Sequence, residues 1–196
     1  MAPESVAQPL YRDDIITQVR QWVETLVVGL NLCPFAKREL VKDRIRFSVS
    51  TATDEWQLLA DLEDELKLLE ENAAIETTLL IHPQVLEDFS AYNQFLNLAD
   101  RLLDQLRLRG VFQVASFHPH YVFADSEEDD VDNFTNRAPY PILHLLREDS
   151  LERAIANYAN AELIPERNIA LMRELGRNHM ETLLRSCMAS NNSENY

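Results

Sequence analysis

Cys33, His82, His118, Asn136, Arg137, Tyr140 and His144 are the side chains of this 196-residue chain best suited to chemistry. A histidine titrates near neutral pH and moves protons in either direction. A cysteine is a nucleophile once deprotonated, and an arginine offers a fixed fork of donors to a carboxylate or phosphate. Their spacing adds to their types. His82-Pro83 closes the run TTLLI, and His118-Pro119 closes QVASF. A residue before proline is pushed to extended backbone, so each histidine is expected to end a strand. If these strands run parallel, both histidines reach the carboxyl edge of the sheet, where open α/β sheets usually bind ligands. The plainer alternative is that each histidine only bonds a loop carbonyl.

The stretch DNFTNRAPYPILHLLRE, residues 132–148, holds most of the other candidates. Arg137 suits a carboxylate or phosphate, Asn136 both donates and accepts, and Tyr140 offers a ring and a hydroxyl. Pro139 and Pro141 stiffen the segment, as a preorganised wall requires. The competing expectation is that Arg137 pairs with the neighbouring EEDD run and pins the loop. His144 shares a strand face with Ile142 and Leu146, where it either packs as a core histidine or faces a ligand. In GLNLCPFAKRE, Lys37 and Arg38 follow Cys33 within one turn, and nearby cations lower a thiol's pKa. Buried, inert cysteine is the commoner state. CPFA is similar to a CPFC redox motif, but Ala36 stands at the resolving position and the motif precedes the first strand, which argues against dithiol chemistry. His118 and His120 alternate, with Asp125, Glu127 and Glu128 beyond them, but there is no H-E-x-x-H and no paired C-x-x-C. No motif assigns a metal, a cofactor or an oligomeric state.

Composition limits the partners these residues can serve. The chain carries 33 acidic and 18 basic residues, a formal net charge of −15. Phosphate backbones and anionic membrane surfaces repel such a surface, so nucleic acid and membrane are not expected as partners. Three glycines are too few for a phosphate loop rich in glycine. No run approaches the roughly 20 apolar residues of a membrane span, and the N-terminus lacks the basic start and apolar stretch of a signal peptide. Two widely separated cysteines give no disulfide framework, so the cytoplasm is the expected compartment.

The elements that position these residues follow from periodicity. Apolar residues at helical spacing predict a helix from Asp13 to about Leu30. RIRFSVS alternates as a half-buried strand. TDEWQLLADLEDELKLLEE predicts a helix capped by Thr53 or Asp54, with a stripe of Trp56, Leu59, Leu62, Leu66 and Leu69. TTLLIHP is a buried strand, a helix runs from about Gln84 to Arg107, and VFQVASFHP and ILHLL are two further strands. Two more helices are expected over 150–158 and 164–184, the latter with Pro165 in its first turn. Residues 119–141 form a long loop of the kind that is usually functional or disordered, and its acidic part reads as a mobile lid. The expected fold is α/β (or α+β): a mixed sheet of about four strands with helices packed on it. It forms a single domain over 13–185 between flexible ends, 1–12 and 186–196. The order of helices and strands from residue 45 onward also matches a glutaredoxin-like core.

GLNLCPFAK, TTLLIHP, YNQFL, QVASFHPHYVF, NFTNRAPYPILHLLRE and IPERNIALMRELG together resemble a bacterial family catalogued as domain of unknown function 1415, over about Ile15 to Leu184. The resemblance implies a compact bacterial protein and carries no reaction. The Phe-His-Pro and Thr-Asn-Arg segments are characteristic of that family. The position of His120 accepts other residues, and Ala138 stands where serine is common.

These residues point first to an enzyme acting on a small anionic metabolite. Asn136 and Arg137 would hold the anion, aided by Tyr140, His82 and His144; His118 would act as general acid or base and Cys33 as nucleophile. The alternatives are a non-catalytic anion-binding or regulatory module, and a proline-rich loop with a purely structural role.

Overall fold

The computed structural model describes residues 12–189. Helix α1 (Arg12–Trp22) turns Ile15, Val19 and Trp22 inward and runs directly into a wider π-helical stretch, Val23–Val28. There Gly29 N bonds Glu24 O at 3.0 Å and Leu32 N bonds Val27 O at 2.9 Å, each reaching back five residues. Gly29 is required at this point, because a Cβ would lie 2.2 Å from the Thr25 carbonyl oxygen. Asn31 then adopts left-handed backbone (φ 54). A short helix that periodicity did not announce follows, α2 (Ala36–Val41).

Strands β1 (Ile45–Val49), β2 (Thr77–Ile81), β3 (Phe112–Phe117) and β4 (Ile142–Arg147) form one sheet in the order β1-β2-β4-β3. β1 and β2 pair in parallel, and β4 runs antiparallel to both β2 and β3. The first three strands therefore point the same way, as expected, with the fourth inserted between the second and third. Helices α3 (Glu55–Glu71) and α4 (Phe89–Gln105) are the crossovers. They cover one sheet face, where Leu58, Leu62, Leu66, Tyr92 and Phe95 pack on Leu80, Leu143 and Leu145. α1, the π-helical stretch, α6 (Ile164–Leu175) and α7 (Arg177–Met188) cover the other face, around Phe47, Leu79, Ile81 and Ile142. The result is a single α/β domain with a four-stranded mixed sheet.

Several element details differ from expectation. Asp54 caps α3 by accepting from Gln57 N at 2.9 Å, and Leu58 takes the stripe position expected for Trp56, which is 75% exposed. Two residues along a helix turn a side chain by about 200°, so the phase set by Leu62 and Leu66 excludes Trp56. The buried polar member of α3, Glu65, accepts from Arg46 at 2.7 and 2.9 Å and from Ser48 at 2.8 Å. α4 starts at Phe89 instead of Gln84, because Leu86 is left-handed (φ 60) and Asp88 caps Ala91 N at 2.8 Å. The single helix expected over 164–184 is broken at Gly176 (φ 77) into α6 and α7. α7 continues to Met188 and buries Cys187. Most of the two ends expected to be flexible, 1–11 and 190–196, lies outside the described residues. No described helix is long and apolar enough to cross a membrane.

Candidate functional site

His82 and His118 do meet at the carboxyl edge of the sheet, on either side of the start of β4 (Ile81 and Phe117 both oppose Ile142). Their rings flank Tyr92, at centroid distances of 5.7 and 5.0 Å. The Tyr92 hydroxyl donates to Ile142 O at 2.8 Å and accepts from Phe117 N at 3.1 Å, joining the end of β3 to the start of β4. His118 uses both ring nitrogens. Nε2 donates to Leu86 O at 3.1 Å, and Nδ1 accepts from His120 N at 3.0 Å. His82 Nδ1 donates to Val85 O at 2.9 Å, and its buried Nε2 has no partner among the described residues. Burial pushes the His118 pKa down and the His82 pKa down to about 4. Both are fully enclosed, so they serve as neutral hydrogen-bonding members of the core. His118 and His120 lie with ring centroids 5.9 Å apart. Among the described residues no group of three or more His, Cys, Asp or Glu is arranged to hold a metal ion.

Arg137 is buried and donates to Tyr121 O at 3.3 Å and Glu128 O at 2.8 Å. Its guanidinium lies 4.7 Å from the Phe134 ring centre. It thus pins the long loop, as the competing expectation held, though through backbone carbonyls and not through the EEDD carboxylates. Asn133, fully buried, completes the clasp: it accepts from Phe123 N and Ser126 Oγ and donates to Glu127 O. Arg173 and Arg177 pair with Asp132 and Asp129 from outside. The acidic segment is therefore fastened at both its core and its solvent side. Tyr140 is committed to packing as well; its hydroxyl donates to Gln18 Oε1 at 2.5 Å, and Gln18 Nε2 donates to Met188 O.

The open space lies on the other side of β4. A cavity of about 260 Å³ is walled by Trp22, Val23 and Val27 from the first helix, Cys33 and Phe35 from the loop after it, and Thr77, Leu79, Ala115, Phe117, His144 and Leu146 from the sheet. Its outer wall is α5 (Glu148–Ala156), through Ser150, Leu151 and Ala154. The π-helical stretch widens the helix at Val23 and Val27, where it faces this space, which is a common place for such distortions.

His144 and Thr77 bring polar groups to the sheet side of this cavity. The Thr77 hydroxyl approaches Leu145 O at 2.5 Å and His144 Nε2 at 2.7 Å. A hydroxyl has one proton, and two oxygens that close need it between them. Thr77 therefore donates to Leu145 O and accepts from His144 Nε2–H. The imidazole is then the Nε2–H tautomer, with the lone pair of Nδ1 free of any partner among the described residues. Desolvation pushes its pKa down to about 4, which keeps it neutral and an acceptor.

Cys33 faces the same cavity. Burial pushes its thiol pKa up, against the opposing effect of the backbone N–H groups of Phe35 and Ala36. Lys37 and Arg38 do not overcome that burial. Arg167 and Asn168 hold the Cys33 loop by donating to Asn31 O at 3.2 Å and Leu32 O at 2.8 Å, and Phe35 stands edge-on to Tyr158 at 5.6 Å. Cys33 also lines a second cavity of about 420 Å³, together with Val27, Phe117, Asn136, Thr135 and Asn168.

Of the residues expected to form a site, Cys33 and His144 share one cavity and Asn136 reaches the second. His82, His118, Arg137 and Tyr140 line neither. Thr77, Phe117, Ala154 and Asn168 line these spaces and were not anticipated. Thr77 alone carried a signal, as one of two hydroxyls opening a strand that ends Leu-Leu-Ile.

A four-stranded α/β domain with a half-open cavity lined by a neutral histidine is thus what fold and side chains define. The model of a protein family described as a protein of unknown function (DUF1415) matches residues 14–182, and the chain belongs to that family. No curated protein and no solved structure matches the chain.

Proposed function

We propose that this protein binds a small, uncharged, largely apolar molecule in the cavity over His144, and that the ligand donates one hydrogen bond to Nδ1. The observation that carries this is the Leu145–Thr77–His144 chain of hydrogen bonds, which leaves a fixed acceptor on the floor of a space walled mostly by carbon. A few placed polar groups in an apolar pocket is the usual build of a small-molecule site. The anion expected from Arg137 has no partner here. Arg147, the cation on this wall, turns Nε and Nη2 to the carbonyls of Leu69, Asn72 and Ile75. Glu39 and Glu76, also on the wall, share Arg44, so an anion would meet carboxylates.

One observation favours a catalytic version, in which His144 accepts the proton of Cys33 as the sulfur adds to a ligand carbonyl carbon and the carbonyl π pair moves onto its oxygen: both groups face one cavity. Each is held in its neutral form, so that transfer is uphill and binding leads. The test is a thermal-shift comparison of matched pairs, benzamide against benzoate and hexanamide against hexanoate. The amides are expected to raise the melting temperature, and Ala154→Trp, which fills the cavity from α5, to abolish the effect. Stabilisation by the carboxylates and not by the amides would overturn the proposal.

A further inference from the structure

Val27, Cys33 and Phe117 line both cavities. The second differs from the first in its chemistry. No charged residue lines it; its polar groups are the Thr135 hydroxyl and the amides of Asn136 and Asn168. Asn168 donates through Nδ2 to Leu32 O at 2.8 Å, and Asn136 through Nδ2 to Ser116 O at 3.1 Å. Those bonds fix both amides. The Asn168 carbonyl oxygen is left without a partner among the described residues. The remaining lining, Leu32, Phe123, Ile164, Pro165 and Ile169, is apolar.

We infer that the two chambers form one bipartite site for an elongated, uncharged ligand: a donor group on His144 Nδ1, an apolar stem passing Cys33, and a hydroxyl or primary amide at the far end beside Asn168. This rests on the first chamber being a ligand site, and it extends that reading to the shape and polarity of the ligand. A neutral polar end follows from the uncharged lining. A carboxylate or ammonium there would meet no counter-charge in the lining. An amide or hydroxyl matches the Asn168 carbonyl and leaves no charge buried. The length follows from the three residues common to both linings, past which one molecule would reach from His144 to Asn168.

Cys33 walls both chambers and reports on either. In a Cys187→Ser background, its alkylation by N-ethylmaleimide is followed while straight-chain ω-hydroxy primary amides from 4-hydroxybutanamide to 10-hydroxydecanamide compete. Protection is expected to strengthen by at least tenfold along the series. The long amides are expected to weaken about tenfold in both Ala154→Trp, which fills the first chamber, and Asn168→Leu, which removes the polar partner in the second. 4-Hydroxybutanamide should respond to one of these substitutions only. Ile169→Phe, which narrows the second chamber, provides an independent variant if Asn168→Leu unfolds. If every amide responds to Ala154→Trp and none to the second-chamber variants, the bipartite site is wrong while the first chamber stands. If no amide protects Cys33, or Ala154→Trp changes nothing, the first chamber is not a ligand site and both readings fall.

Discussion

His144 owes its character to Thr77 more than to its own ring. A histidine on a buried strand face is ambiguous until its partners are known, because either nitrogen can carry the proton. Here a single hydroxyl proton, taken by Leu145 O, settles the tautomer. Arg137 shows the opposite case, a residue whose type promises a ligand and whose contacts are all structural. Hydrogen bonds from charged groups contribute about 1.5–3 kcal/mol each, and removing this one leaves two loop carbonyls unpaired. Arg137→Ala is therefore expected to destabilise the fold by about 2–4 kcal/mol in urea titrations and to leave amide binding intact. A variant that melts like the wild type but no longer binds would return Arg137 to the site.

At the scale of elements, the π-helical stretch is the part of the fold that shapes the cavity. Gly29 permits it, since any Cβ would collide with the backbone oxygen of Thr25. Gly29→Ala is expected to cost on the order of 2–3 kcal/mol and to weaken amide binding, because Val23 and Val27 must shift. A melt and a binding titration together check this; an alanine variant unchanged in both would show that the wide turn has no role. The four strands were legible in the sequence because alternation in RIRFSVS and the apolar run TTLLI, closed by His-Pro, report burial directly. The helices between the first three allowed those to run parallel; the direction of the fourth was not legible. The wide turn was not, because the apolar positions from Val23 to Leu30 fit an ordinary helix equally well. Trp56 misled for a related reason: size marked it as core, while the helix phase fixed by Leu58 and Leu62 did not. The candidate site was legible only in part. Cys33 and His144 were singled out by type, but their sharing a cavity depends on β4 entering the sheet between β2 and β3, a long-range pairing without a local signal.

For the molecule as a whole, three enclosed neutral histidines link stability to pH. His82 and His144 are pushed to about 4, and His118 is lowered too. Between the unfolded value of about 6.5 and those folded values, the unfolded chain binds protons that the folded chain does not, so stability falls as pH falls. The loss begins below about pH 7, reaches about 1.4 kcal/mol each for His82 and His144 near pH 5.5, with His118 adding in the same direction, and is negligible above pH 7.5. Urea midpoints at pH 7.5, 6.5 and 5.5 check it, and equal midpoints would mean that these rings are solvated. Net charge of −15 adds self-repulsion at neutral pH that acid relieves, so a decline on acidification runs against the charge effect and isolates the histidines. The central claim, a neutral acceptor imidazole facing the cavity, is tested most directly by the ¹⁵N chemical shifts of the His144 ring between pH 5 and 8. The expected spectrum shows a protonated Nε2 and an unprotonated Nδ1 that do not titrate, with Nδ1 shifting when an amide binds. An imidazolium at pH 7 would contradict the account and make the cavity a site for anions.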